Sequence, residues 1–147
     1  MNEQERMAII AEEIKKAVRG KLKEVYPPRA WEYIENPVNL GPVVRANGFG
    51  ILKGLCGDTM RIYLKIESGT ISEATFETDG CEATLAAGCA VTQLARGRTL
   101  AEALALSPAA VLEDLGGLPD DHLHCAILAS NTLMNAVANY LILNAGS

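Results

Sequence analysis

The sequence predicts an α+β domain: a three-stranded antiparallel sheet packed against several helices, with an extra helix in front. Three observations carry that prediction. Met60, Ile62, Leu64 and Ile66 alternate with Arg61, Tyr63, Lys65 and Glu67, the period of two of a strand with one buried face. Thr70–Thr78 repeats the pattern after Ser68-Gly69, a turn pair. From Cys81 onward the chain is Ala-rich and helical in spacing, so strands come first and helices after.

The elements follow in order. Glu3 to Val25 reads as an amphipathic helix, with Met7, Ile10, Ile14, Val18, Leu22 and Val25 at three- and four-residue steps. Gly20 weakens it and Pro27-Pro28 stops it. This helix is expected to pack on the domain; the alternative is a partner or dimer contact. A short helix is expected over Arg29 to Ile34. Asn36 to Pro42 reads as loop from its Pro, Gly and Asn content. A first strand is expected near Gly48 to Lys53. The helix opened by Cys81 runs to Ala95 and ends at Gly97. Thr99 and Glu102 have capping-box spacing. Ser107-Pro108 starts a further helix that Gly116-Gly117 ends. The last helix is expected to start near Asp121, with Leu123, Ile127, Met134, Val137 and Leu141 as its buried stripe. Residues 1–28 thus form a helical extension and 29–147 one domain of ordinary size.

Composition narrows the function classes. The 147 residues are 49% hydrophobic, enough for a core without staples, and the formal net charge is −5. No basic patch suggests nucleic acid. No apolar run approaches the roughly 20 residues of a membrane span. The start Asn2-Glu3-Gln4-Glu5 lacks the charge of a secretory leader, which makes the cytosol the expected location. Four cysteines in a reducing compartment point to metal or thiol chemistry.

Cys56, Cys81 and Cys125 each lie at an element boundary. Cys56 is followed by Gly57, which permits a tight turn, and Asp58, which can bring a carboxylate to the same place. Cys81 opens a helix, where free N–H groups favour the thiolate, and Cys125 should share that bias near the start of the last helix. Their separations exclude a compact knuckle, so any shared site must be assembled by the fold. Three thiolates and one carboxylate or imidazole complete a shell for zinc, and the same set could hold part of an iron–sulfur cluster. Cys89 lies about 12 Å along the helix from Cys81 and reads as a core cysteine, or else a secondary thiol that accepts sulfur. His122 and His124, two apart on a helix, should face different ways. His124, beside Cys125, is the expected metal ligand, and His122 belongs at the rim.

Four segments carry a family resemblance: Glu35-Asn36-Pro37-Val38-Asn39-Leu40-Gly41, Cys56-Gly57-Asp58-Thr59-Met60, Gly80-Cys81 and His124-Cys125-Ala126-Ile127-Leu128-Ala129. In order and spacing the chain resembles the iron–sulfur cluster assembly scaffolds of the IscU/NifU type. No insertion of the zinc-containing SufU branch lies between Cys81 and Cys125. The resemblance implies a scaffold rather than a turnover enzyme. A cysteine desulfurase would supply sulfur, and a cluster, commonly of the 2Fe–2S type, would pass to acceptor apoproteins. It matches Cys56, Cys81 and Cys125 to the cluster ligands, Asp58 to the aspartate that tunes lability, and His124 to the histidine beside the last cysteine. The alternative is a zinc-dependent sulfur acceptor that works with the desulfurase.

The chain departs from the family at several neighbours of the site. The family's Leu-Pro-Pro-Val-Lys is Leu118-Pro119-Asp120-Asp121-His122 here, which puts recognition by the dedicated chaperone in doubt. Glu82 adds a charge beside Cys81, where it would support a metal cation. Ser130-Asn131 stands where an acidic pair is common, and the first helix is longer than usual. Monomer and homo-oligomer both remain open.

Overall fold

The computed structural model describes residues 1–145. Helix α1 spans Glu3–Val25 and α2 spans Pro28–Glu35. Strands β1 (Gly48–Lys53), β2 (Thr59–Glu67) and β3 (Thr70–Thr78) form one antiparallel sheet in the order β1-β2-β3. Helices α3 (Glu82–Ala95), α4 (Leu100–Leu104), α5 (Pro108–Leu115) and α6 (His124–Asn144) cover one face, with a 3-10 turn at Asp120–His122. Both the fold class and the three-stranded sheet agree with the sequence pattern.

The alternation in β2 and β3 does what it predicts. Met60, Ile62, Leu64, Ile66, Ile71, Ala74 and Phe76 are all buried. Ser68 and Gly69 both have positive φ, the conformation of the tight hairpin turns that match strand twist. Thr99 and Glu102 exchange both capping hydrogen bonds, and Ser107 caps α5. The segment at Asn36–Pro42 is more ordered than its composition suggests. The Phe76 N–H donates to the Asn39 carbonyl at 2.8 Å, and the Gly41 N–H donates to the Phe76 carbonyl at 3.0 Å. The segment therefore runs along the free edge of β3 and shields it. On the opposite edge, Asn139 and Asn135 of α6 accept from the Phe49 and Ile51 N–H groups of β1.

Two expectations are corrected. The buried face of α6 is not the stripe of large apolar residues. Leu123, Ile127, Met134 and Leu141 are exposed, and only Val137 of that set is buried. The inner face is instead Cys125, Ala126, Ala129, Thr132, Leu133, Ala136 and their neighbours. The reason is close approach. A Cβ on Gly50 of β1 would lie 2.5 Å from the Thr132 carbonyl oxygen and 2.7 Å from the Ala136 nitrogen. A helix seated that near a strand needs small residues at the contact.

The second correction concerns α1, none of whose residues is buried. Only its last turns touch the domain: Leu22 is partly buried, and Arg19 meets Glu35 at 3.5 Å and lies over the Trp31 ring.

Asp120–Asn144 has the length and mean hydropathy, 1.3, of a membrane span, contrary to the reading that no segment approaches one. Its small-residue face is the one that packs on the sheet, as a core helix does.

Candidate metal centre

The candidate residues converge at one corner of the domain, where the β1–β2 loop, the start of α3 and the start of α6 meet. Gly57 has φ +88°, and the Gly57 N–H donates to the Gly54 carbonyl at 3.0 Å. That turn leaves Cys56 exposed at its tip. Cys81 is the N-cap of α3, as the sequence suggests, and is half-buried. Cys125 lies in the first turn of α6 and is 1% exposed.

Cys81, His122 and Cys125 form a cluster whose ligand atoms all lie within 4.8 Å of one another. Cys81 Sγ is 4.0 Å from His122 Nδ1. On the outer side, His124 Nε2 is 3.0 Å from Cys56 Sγ. Both histidines therefore face a thiol, each a different one. The expectation of one inward and one peripheral histidine assumed a continuous helix. The 3-10 turn ends at His122 and α6 begins at His124, so the two rings come to 6.2 Å between centroids. The pattern Asp120-Asp121-His122 after Pro119 was the available sign of that break.

A residue the sequence reading passed over ties the halves together. Thr84 is fully buried on the first turn of α3. Its hydroxyl donates to Asp58 Oδ2 at 2.8 Å. With that one proton committed, its oxygen accepts from Cys125 Sγ, 3.4 Å away. Cys81 Sγ lies 3.8 Å from the same oxygen. Thr84 thus holds Asp58 next to both inner thiols. A Cβ on Gly80 would lie 2.7 Å from both Asp58 Oδ2 and Thr84 Oγ1, so this approach requires glycine there.

The electrostatics differ across the corner. The Thr84 hydroxyl above all holds Asp58 below the ordinary carboxylate range; burial opposes it, and Cys56, the Cys81 backbone and His124 add smaller lowering effects. Burial pushes Cys125 up to about 11, and the neighbouring Cys81, Cys56 and Asp58 add to the rise while Thr84 opposes it. The helix-start bias expected for Cys125 is outweighed because its thiol is enclosed. Tyr26, just after α1, is also raised, to about 12, first by burial and then by Cys81 and Glu82. It marks the inner wall of the corner, a role that nothing in its local sequence signals.

Cys89 is elsewhere. It is buried and faces the Val38 backbone, and burial raises its thiol. Glu82 is exposed beside Cys81. Ser130 is buried and donates to the Leu106 carbonyl at 2.7 Å, a structural use, while Asn131 lines a cavity of about 290 Å³ bounded by Leu55, His124 and Ile127.

Two thiols and an imidazole within coordination reach, with a third thiol, a second imidazole and a carboxylate adjoining, make a soft mixed donor set. Such a set suits zinc or an iron–sulfur cluster and disfavours magnesium or calcium. The fold and the corner together define a small α+β protein with a cluster of thiols and imidazoles suited to a metal at the meeting of one loop and two helix starts.

The chain belongs to the family of the NifU-like N terminal domain, whose model matches residues 25–145. It is 38% identical over 117 residues to the iron-sulfur cluster assembly scaffold protein IscU 1 of Archaeoglobus fulgidus, covering 79% of this chain and 76% of that protein. It is 37% identical over 118 residues to the nitrogen fixation protein NifU of Azotobacter chroococcum, covering 78% of this chain and 38% of that longer protein. The fold is shared with the crystal structure of a NifU-like N-terminal protein from Brucella abortus. The TM-score is 0.63 at 17% identity, over 81% of this chain and 96% of that one.

Proposed function

We propose that this chain is a scaffold that carries an iron–sulfur cluster as cargo, built from iron and desulfurase-derived sulfur and passed to acceptor apoproteins. The observation that carries this reading is the convergence of Cys81, His122 and Cys125 within 4.8 Å, with Cys56, Asp58 and His124 adjoining. In this reading Cys56, Cys81 and Cys125 supply the thiolates, and Asp58 and His124 complete the site. His122 joins the set through its contact with Cys81. The 2Fe–2S type suits a site with three thiolates and oxygen or nitrogen donors for the remaining position. A mixed donor set holds such a cluster less firmly than four thiolates, which favours hand-over. The protein binds and releases, and performs no turnover of its own.

Exposure of Cys56 at a loop tip supports sulfur delivery by a desulfurase, because a persulfide donor must reach the acceptor thiol. A reducing, cytosolic setting suits four free thiols. Residues 29–147 would form the scaffold domain and 1–28 a separate helical extension, a division supported by the absence of buried residues in α1.

A second reading, zinc-dependent sulfur acceptance, is favoured by the Cys81–His122–Cys125 trio, a donor set that zinc also takes. Anaerobic incubation with ferrous iron, a desulfurase–cysteine system and a thiol reductant, which reduces the delivered persulfide sulfur to sulfide, separates the two. The scaffold reading expects visible absorption, with iron and sulfide in equal amounts, both moving to an apo-ferredoxin. Tight zinc with desulfurase stimulation and no sulfide would favour the second reading instead.

A further inference from the structure

We infer that α1 is a self-association helix, through which two copies of this chain pair in antiparallel orientation. The helix carries an apolar stripe that the fold leaves uncovered. Met7 is 62% exposed, Ile14 58% and Val18 50%, and Ile10 lies between them on the same face. A lone amphipathic helix draws most of its stability from packing its apolar face, and this one packs only at its last turns.

Charge identifies the occupant. The first half of α1 carries Glu3, Glu5, Glu12 and Glu13 against Arg6 alone. The second half carries Lys15, Lys16, Arg19, Lys21 and Lys23 against Glu24 alone. Complementarity to the helix dipole accounts for charges in the first and last turns only, and Glu12, Glu13, Lys15 and Lys16 lie mid-helix. A parallel pair would set acidic half on acidic half. An antiparallel pair sets each acidic half on a basic one.

The ends of the stripe agree. At 100° per residue, Glu3 and Lys21 share one angle within the stripe, between Ile10 and Ile14, and Arg6 and Glu24 share another on one flank of it. In an antiparallel register centred on Ile14, each residue i lies opposite residue 28 − i, so Arg6 falls about 3 Å along the axis from Glu24 of the second copy and Glu3 about 6 Å from Lys21 of the second copy, within reach of the long arginine and lysine side chains. Ile10 then meets Val18 of the second copy, and the two Ile14 side chains meet at the axis. Lys15 and Arg19 also have partners within one copy, Glu12 at 3.7 Å and Glu35 at 3.5 Å, so the selectivity rests on the remaining charges.

The fold also supplies a seat. A groove of about 300 Å³ opens between Ile14, Val18 and Leu22 of α1 and Trp31 and Ile34 of α2, and ends at Glu82 beside Cys81. A second α1 laid on the stripe would cover that groove and close the side of the domain next to the metal centre. An anionic membrane surface fits worse, because the acidic half would be repelled from it.

The test uses the full chain. Sedimentation at tens of micromolar should show a dimer. Ile14→Glu, an exposed position whose change leaves the fold intact by circular dichroism, should weaken it about 100-fold or more. Zero-length carboxyl–amine cross-linking of the native chain should join Glu3 to Lys21. Those residues lie about 27 Å apart along one helix, so that product forms only between two copies. A monomer at that concentration overturns the inference. So does a dimer that Ile14→Glu leaves unchanged, a dimer whose cross-links join acidic-half to acidic-half neighbours, or binding of α1 to anionic phospholipid vesicles in place of itself.

Discussion

The inner and outer halves of the metal centre are built differently. Cys81, His122 and Cys125 sit on helix starts and a 3-10 turn, and their thiols are half-buried or buried. Cys56 sits at the tip of a glycine turn, exposed, beside Leu55, which is 94% exposed. The inner half is positioned by the core and the outer half by a loop. If the corner carries a cluster as proposed, retention should fall to the inner residues, and access and release to the outer ones. Thr84 and Asp58 couple the two.

The largest effects should separate the halves. Cys125→Ser is expected to abolish stoichiometric iron and sulfide loading. Cys56→Ser should retain metal binding at the inner trio while losing sulfur uptake from a desulfurase. Metal analysis beside persulfide labelling distinguishes them, and equal losses of metal in both variants would erase the proposed division.

Next in size is the coupling itself. Thr84→Val keeps the shape and removes the hydroxyl, so Asp58 loses its donor and Cys125 its acceptor. Metal affinity should fall about tenfold, as when an orienting partner of a ligand is removed. An affinity within twofold of the native value, measured by competition with a chelator, would show that Thr84 is only packing.

Asp58→Ala should slow transfer of a loaded cluster to an apo-ferredoxin several-fold, because the carboxylate is held ionised at the corner. Faster transfer than in the native chain would invert the role of Asp58.

The smallest effect is on stability of the metal-free protein. Burial raises Cys125 from 9.0 to about 11. The folded state then binds this proton more tightly than the unfolded one, so stability falls as pH rises from 9.0 to about 11. A rise of that size corresponds to about 2–3 kcal/mol. Urea titrations of the native chain and Cys125→Ala across that window should show a shallower loss in the variant. Parallel slopes would mean that Cys125 is not enclosed as described.

Much of this was legible in the sequence. Period-two alternation located β2 and β3, because one buried face forces it, and the Cys-Gly-Asp and His-Cys motifs located the corner. Three features were not. The inner face of α6 was misassigned because Gly50 brings the helix so near the sheet that Ala and Thr pack inward and large apolar residues are left outside. His122 reads as a rim residue on a continuous helix, but the 3-10 turn over Asp120–His122 brings it to Cys81 instead. Thr84 left no local signal, since its partners come from three separate elements. The exposed stripe of α1 was visible as a stripe, but only the fold shows that nothing in the domain covers it.

The claim at the centre of this account is that the corner holds a cluster as transferable cargo. The most direct measurement is iron, zinc and acid-labile sulfide content, with a visible absorption spectrum, of protein purified without oxygen, before and after mixing with an apo-ferredoxin. The account predicts equal iron and sulfide at the start and their appearance on the ferredoxin afterwards. Zinc without sulfide, or a cluster that stays on this chain, would contradict it.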